Sequence, residues 1–169
     1  MNRAAFGFIL TLVMDLADIL GREQIVPELK ATNRWEAIDE LIGNLVATGK
    51  IQPGDRDAVT AAVKKRETSM STGIGFGIGI PHASTDLIYE VTAALGRSTK
   101  GINFDALDNQ PVNIVVLFLV PQGQFQKHLH TLADIAKLLH KKEFRTAVEQ
   151  APDATAMLQL ICATQPARK

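Results

Sequence analysis

Cysteine is almost missing from this sequence: Cys162 is the only one. No disulfide can form within the chain, and a zinc site built of several thiolates is excluded. Cys162 follows the apolar stretch 157–161 and reads as a small buried hydrophobe. Such sparing use of cysteine fits a cytoplasmic protein. Net charge is missing too, since 18 basic side chains balance 18 acidic ones. No global field favours nucleic acid or anionic lipid, so a charged ligand has to be caught locally.

Long apolar runs are also absent. The stretch 4–14, AAFGFILTLVM behind Arg3, is well short of the roughly 20 residues that span a bilayer, which predicts no membrane insertion. It resembles the apolar part of a secretory signal, but no small-x-small cleavage site follows. It reads as an amphipathic helix or an overlong start. Residues 1–14 are therefore set apart as an extra segment, 15–163 as one domain and 164–169 as a tail. No repeat, low-complexity stretch or linker divides the 169 residues. That length suffices for a single core, and 46% hydrophobic with 21% charged residues is ordinary for a globular protein.

Periodicity supplies the elements. A short helix is expected at 15–20 and an edge strand at 25–29, since Pro27 cannot donate to a central ladder. Asn33 opens a helix with Glu36 at capping-box spacing, and Gly49 stops it. A second helix begins at Pro53-Gly54-Asp55 and runs to about Glu67. Strands follow at 91–96 and at 112–120, the latter (VNIVVLFLV) apolar enough to be buried on both faces. Helices at 125–140, 143–150 and 153–163 complete the chain. The order predicts an α/β fold with a mixed, mostly parallel sheet sandwiched by helices on both faces.

The segment 71–83, STGIGFGIGIPHA, places glycine at 73, 75, 77 and 79. Alternation predicts a strand with one bare face, open to a ligand or another backbone. The dinucleotide fingerprint fails, because the sixth position from Gly73 is Ile78 and from Gly75 is Ile80. The P-loop fails as well, for want of Lys-Ser/Thr. What the segment does is end on Pro81-His82. Proline fixes its own φ and biases Ile80 to extended geometry, so His82 is expected at the mouth of a rigid strand. Rigid placement of a titratable nucleophile is what transfer chemistry needs. A lone histidine in such a place is, on physics alone, more often a structural hydrogen-bonder.

On the helix after the central strand, His128 shares a face with Thr131, Leu132, Ile135 and Leu139, whereas His130 falls on the polar face. His128 is thus placed inward, near the helix start, where it could meet His82; the bland reading is a satisfied core histidine. A His–His metal pair with Asp86 lacks any supporting ligand spacing. The nucleophile elbow G-x-S-x-G is absent, and Ser71 and Ser84 have the wrong neighbours for hydrolase chemistry. Lys64 and Lys65 read as complements of a helix C-terminus, while Arg66 is close enough to the glycine segment to reach an anion there.

Several motifs now agree in order: Arg66-Glu67, then 71–75 (STGIG) through 80–83 (IPHA), then 104–112 (FDALDNQPV), then 128–132 (HLHTL) with 135–137 (IAK). Together they resemble the enzyme IIA domain of the bacterial phosphotransferase system (PTS), fructose/mannitol/nitrogen-regulatory type. The last two look most like the nitrogen-regulatory branch. The resemblance implies a phosphotransferase that works through a phosphohistidine. His82 would carry the phosphoryl group, His128 would be the second active-site histidine and a hydrogen-bond donor to the transition state, and Arg66 would supply charge to the phosphate. The Thr72 and Ser84 hydroxyls would be lesser supports, with the glycines letting the donor approach closely. The implied donor is phosphorylated HPr or its nitrogen-branch homologue. The acceptor is a IIB domain or a regulatory target, with no cofactor, metal or nucleic acid. The alternative is a regulatory or ligand-binding module of the same fold without phosphate chemistry.

Overall fold

The computed structural model describes residues 14–164. The expectations for residues 1–13 and for 165–169 lie outside the described residues. Helix α1 (Leu16–Ile19) is followed by β1 (Ile25–Val26), α2 (Arg34–Ala47) and α3 (Arg56–Ser69). Four strands come next in quick succession, β2 (Gly73–Gly75), β3 (Ile78–Gly79), β4 (His82–Thr85) and β5 (Thr92–Ile102). Strand β6 (Val112–Pro121) leads through a 3-10 turn at Gln126–His128 to α4 (Leu129–Leu139), α5 (Lys142–Gln150) and α6 (Ala154–Ala163). Local signals explain the helix starts: Asn33 Oδ1 accepts from the Glu36 amide, and Asp153 Oδ1 from the Ala156 amide.

The six strands form one mixed sheet. Three of its five strand pairings are parallel, although the longest ladder is antiparallel. Parallel pairings join β1 to β5, β3 to β6 and β4 to β6; antiparallel pairings join β2 to β3 and β5 to β6. The β5–β6 ladder is the longest, because the short loop 103–111 folds the second strand directly back on the first. Strand β6 is buried along almost its whole length, as its composition demands.

Two cores line the two faces of the sheet. On one, Ile114, Val116, Phe118 and Val120 meet Leu16, Ile135, Phe144 and Met157 from α1, α4, α5 and α6. On the other, Val115, Leu117 and Leu119 meet Ile38, Leu41, Leu45, Val59 and Val63 from α2 and α3. Alternation along β6 thus feeds both layers. Cys162 is exposed, against the expectation of burial. The apolar stripe of α6 is carried by Met157 and Ile161, and the residue after Ile161 turns outward.

The glycine segment is not one strand but a hairpin followed by a strand. Strand β2 pairs antiparallel with β3, and Phe76 and Gly77 form the turn with φ of 58° and 79°. Two positive φ values in succession are what a primed hairpin turn requires, and Gly77 meets that at no steric cost. The Phe76 amide donates to Asp108 Oδ2 at 3.1 Å, which pins the turn to the loop before β6. The bare face of Gly79 does not await a partner protein: a Cβ there would lie 3.0 Å from the buried Phe104 ring. Glycine here serves internal packing rather than access.

Arg97, on β5, is buried, and its guanidinium reaches only backbone carbonyls. Nε donates to Pro27 at 2.8 Å, and Nη1 to Val148 at 2.8 Å and Ala151 at 2.6 Å. It closes the C-terminus of α5, where orphaned carbonyls and the helix dipole favour a cation. Replacing Arg97 with Met keeps the bulk and strands these acceptors. The expected cost is about 2–3 kcal/mol of folding stability, read as a lower urea midpoint with unchanged slope.

Candidate functional site

Strands β3 and β4 share one register on β6: Ile78 lies opposite Ile114 and His82 opposite Phe118, at the same offset. They are a single extended run broken at Ile80-Pro81, since proline has no N–H for a ladder. His82 therefore opens β4 within that run, rather than ending the glycine strand. Among the described residues β4 pairs only with β6, so its outer edge is free of a strand and the imidazole is half-buried there.

The ring is fixed from two sides. His82 Nδ1 lies 2.8 Å from the Ile80 carbonyl oxygen. A carbonyl can only accept, so Nδ1 carries the hydrogen and Nε2 keeps the lone pair. Phe125 stacks on the imidazole, with ring centroids 5.8 Å apart and planes inclined by 15°. Burial is the main influence on the titration of His82 and pushes it down. The Ile80 carbonyl pushes it up, the Arg66 guanidinium down and the Glu67 carboxylate up, and the balance lies below the ordinary histidine value. The ring is thus held neutral, as a nucleophile must be.

A cavity of about 450 Å³ opens over this ring, lined by Ala62, Lys65, Arg66, Ser69, His82, Ala83, Ser84 and Phe125. Of the residues expected at the site, His82, Arg66 and Ser84 come together here. The last turn of α3 delivers Arg66, whose Nη1 donates to the Met70 carbonyl at 3.1 Å, and among the described residues it forms no ion pair. Lys64 instead pairs with Asp39 at 2.8 Å. Lys65, read from sequence as a helix-end complement, reaches the cavity wall.

Thr72 and His128 do not line this cavity. The Thr72 hydroxyl is buried and spent on Glu67, donating to Oε2 at 2.7 Å. His128 caps the start of α4, buried as its apolar stripe predicts, but the wall on that side is Phe125. Burial and the neighbouring Lys127 charge hold His128 below the usual histidine range. Among the described residues its Nδ1 has no hydrogen-bond partner, nor has the Thr131 hydroxyl one turn on. Buried polar atoms without partners are uncommon. Phe125, Lys65 and Ser69 were not singled out from the sequence. The i, i+3 and i+4 spacing of Ala62, Lys65, Arg66 and Ser69 on one helix face is the signal that could have found the last two. Among the described residues, no three His, Cys, Asp or Glu side chains converge to hold a metal ion.

Comparison with known proteins gives this arrangement its context. Residues 18–163 match the family described as "Phosphoenolpyruvate-dependent sugar phosphotransferase system, EIIA 2". The chain is 37% identical over 139 residues to a PTS system fructose-specific EIIA component of Haloferax volcanii, covering 82% of this chain and 89% of that protein. It is 30% identical over 148 residues to a nitrogen regulatory protein of Bradyrhizobium diazoefficiens, covering 88% and 95%. The crystal structure of nitrogen regulatory protein IIA-Ntr from Neisseria meningitidis superposes with a TM-score of 0.78 at 25% identity, over 86% of this chain and 98% of that one. Fructose-type and nitrogen-regulatory relatives thus match at similar identity. The chain belongs to the EIIA type 2 family of the phosphotransferase system, whose business is to carry a phosphoryl group.

Proposed function

We propose that His82 is the residue that carries the phosphoryl group, that it does so on Nε2, and that Arg66 and His128 stabilise the group in transit. The observation that carries this reading is the 2.8 Å contact between His82 Nδ1 and the Ile80 carbonyl, which leaves one ring nitrogen with a lone pair. The donor is phosphorylated HPr or its nitrogen-branch homologue. The acceptor is a IIB domain or a regulatory target, and the exchange takes place in the cytoplasm. Support comes from the family and from the chemistry of the cavity rather than from a bound partner.

The steps follow from the geometry. The Nε2 lone pair of His82 forms a bond to the donor's phosphorus as the donor's own N–P bond breaks. The donor ring, which carries a proton on its other nitrogen, leaves with that electron pair as a neutral imidazole. The product ring on His82 keeps Nδ1–H and is an imidazolium, whose charge the Ile80 carbonyl and the Glu67 carboxylate offset. No proton has to move. The transition state is loose, with charge spread over three equatorial oxygens, so catalysis is positioning and electrostatics. Arg66 supplies a cation with no carboxylate paired to it among the described residues. Ser84 and Lys65 stand on the same wall. The donor role of His128 rests on the family resemblance, and its buried Nδ1 is without a partner among the described residues. Thr72 supports the phosphate site from beneath, through its bonds to Glu67.

Three outcomes test the proposal. Incubated with phosphorylated carrier protein, the wild type should gain about 80 Da by mass spectrometry, and His82→Ala should gain nothing. A label persisting in His82→Ala overturns the assignment. Arg66→Ala and His128→Ala should each fold and accept phosphate some 10- to 1,000-fold more slowly, because each removes one transition-state contact. Unchanged transfer rates would make either residue merely structural.

The third outcome concerns pH. By NMR, the His82 imidazole should titrate below the ordinary value of about 6.5. Phosphoryl acceptance by His82 should hold level as the pH falls through that value and decline only lower. The same sign applies to folding. The unfolded ring takes up a proton first, so this group's contribution to stability is complete above the ordinary value and is lost as the pH falls below it. A midpoint at or above the ordinary value contradicts the burial that the structure gives this ring.

A further inference from the structure

Glu67 is fully buried, directly after Arg66 on the last turn of α3, and it faces away from the cavity. Its carboxylate is saturated with donors. Oε1 accepts from the Thr72 amide at 3.0 Å and from Arg34 Nη1 at 3.3 Å, and Oε2 accepts from the Thr72 hydroxyl at 2.7 Å. A buried charge is costly unless it is paired and hydrogen-bonded, and here it is both. Removing this carboxylate alone would strand the donors of Arg34 and Thr72, so its bonds hold Thr72 firmly. The position of Thr72 suggests another use. The Thr72 carbonyl accepts from the Ile80 amide at 3.1 Å, and the Ile80 carbonyl on the far side of that residue holds His82 Nδ1–H. Four bonded links therefore run from Arg34 through Glu67, Thr72 and Ile80 to the imidazole.

We propose that Glu67 is a positioning residue for phosphoryl transfer: by clamping Thr72 it fixes the Ile80 carbonyl, and so commits His82 to the tautomer that presents Nε2 to the phosphorus. The inference rests on His82 being the acceptor. The break at Ile80-Pro81 explains why a clamp is needed there. Pro81 has no N–H, so the run between β3 and β4 has lost a rung of its ladder on β6. The bond from Ile80 to Thr72 is what holds the peptide at that break on its other side. Without an anchor on Thr72, the Ile80 carbonyl is free to tilt, and the imidazole loses the acceptor that distinguishes its two nitrogens. Arg34 holds the carboxylate in place through the 3.3 Å contact, itself resting over the Trp35 ring at 4.4 Å.

The test reads the tautomer directly, in the unphosphorylated protein, by long-range proton–nitrogen NMR of the His82 ring at a pH where it is neutral. In the wild type a single species with Nδ1–H and a bare Nε2 is expected. Glu67→Ala should give a mixture of both tautomers and at least a tenfold slower phosphoryl acceptance from the carrier protein. Glu67→Gln keeps the acceptor for the Thr72 amide and the shape, and it should restore both readouts to near wild type. Should Glu67→Ala not fold, Thr72→Val removes only the hydroxyl bond to Oε2 and should give a detectable Nε2–H population with a several-fold loss of rate. A folded Glu67→Ala or Thr72→Val protein that retains the pure Nδ1–H tautomer overturns the proposal, even if its rate or its melting temperature falls. The tautomer is measured without any donor. If the wild type takes no phosphoryl group on His82, the carrier assignment fails while the tautomer result still stands or falls alone.

Discussion

The contact between His82 Nδ1 and the Ile80 carbonyl decides what the site can do. An imidazole free to choose its tautomer presents a nucleophile at either nitrogen, in two different directions. One hydrogen bond to a carbonyl two residues earlier removes the choice, and it does so within the same short stretch of chain. The geometry of that stretch depends on what surrounds it. The shared register on β6 sets where the run lies, Pro81 fixes the backbone between carbonyl and ring, and Phe125 stacks on the exposed side. The fold's contribution to the chemistry is therefore mostly a restriction of freedom. That suits a reaction in which the protein makes no strong base and needs only to hold its lone pair in line.

The electrostatics of the ring follow a similar logic. A cation beside a nucleophilic histidine has two effects, since it attracts the phosphoryl oxygens and discourages protonation of the ring. Arg66 does both. Burial acts in the same direction as Arg66 before transfer, but it would penalise the imidazolium formed afterwards. Glu67 and the Ile80 carbonyl act the other way and moderate that penalty. A carrier has to release what it accepts, so neither the free nor the loaded ring can be favoured strongly. Opposing influences of comparable kind on one imidazole are a means to that balance.

Much of this was legible in the chain. The apolar run of β6, the cap at Asn33, and the punctuation by Gly49 and Pro53 placed the main elements, because each rests on a local rule. The glycine segment misled for the same reason. Alternation of glycine with apolar residues has a strand's period, yet Phe76 at a positive φ folds it into a hairpin. Nothing local announces that, since a phenylalanine is a poor choice for such a turn and is held there by Asp108 and by the nearby rings and cations of His140 and Arg145. At the site, His82 and Arg66 stood out by their neighbours in sequence. Phe125 did not, because its role depends on a loop crossing over β4. Cys162 was misjudged because an apolar neighbourhood in sequence does not fix which way one residue of a helix turns.

The location of the site in the sheet follows from the two-layer construction. Helices α2 and α3 cover one face, and α1 with α4 to α6 covers the other. A residue inside either layer can be reached by only one set of helices. His82 sits on the unpaired edge of β4, where the two layers meet, and so α3 brings Arg66 and Glu67 from one side while the segment before α4 brings Phe125 from the other. An edge strand is ordinarily a hazard, because its open backbone invites another strand. Here the edge is only four residues long and begins with a proline-linked histidine. It is too short to template a sheet, yet the ring at its start still opens on a cavity. The edge that a stable fold would ordinarily cover is left short and open here, and so a rigidly held imidazole stays in contact with a surface cavity instead of being sealed under another strand.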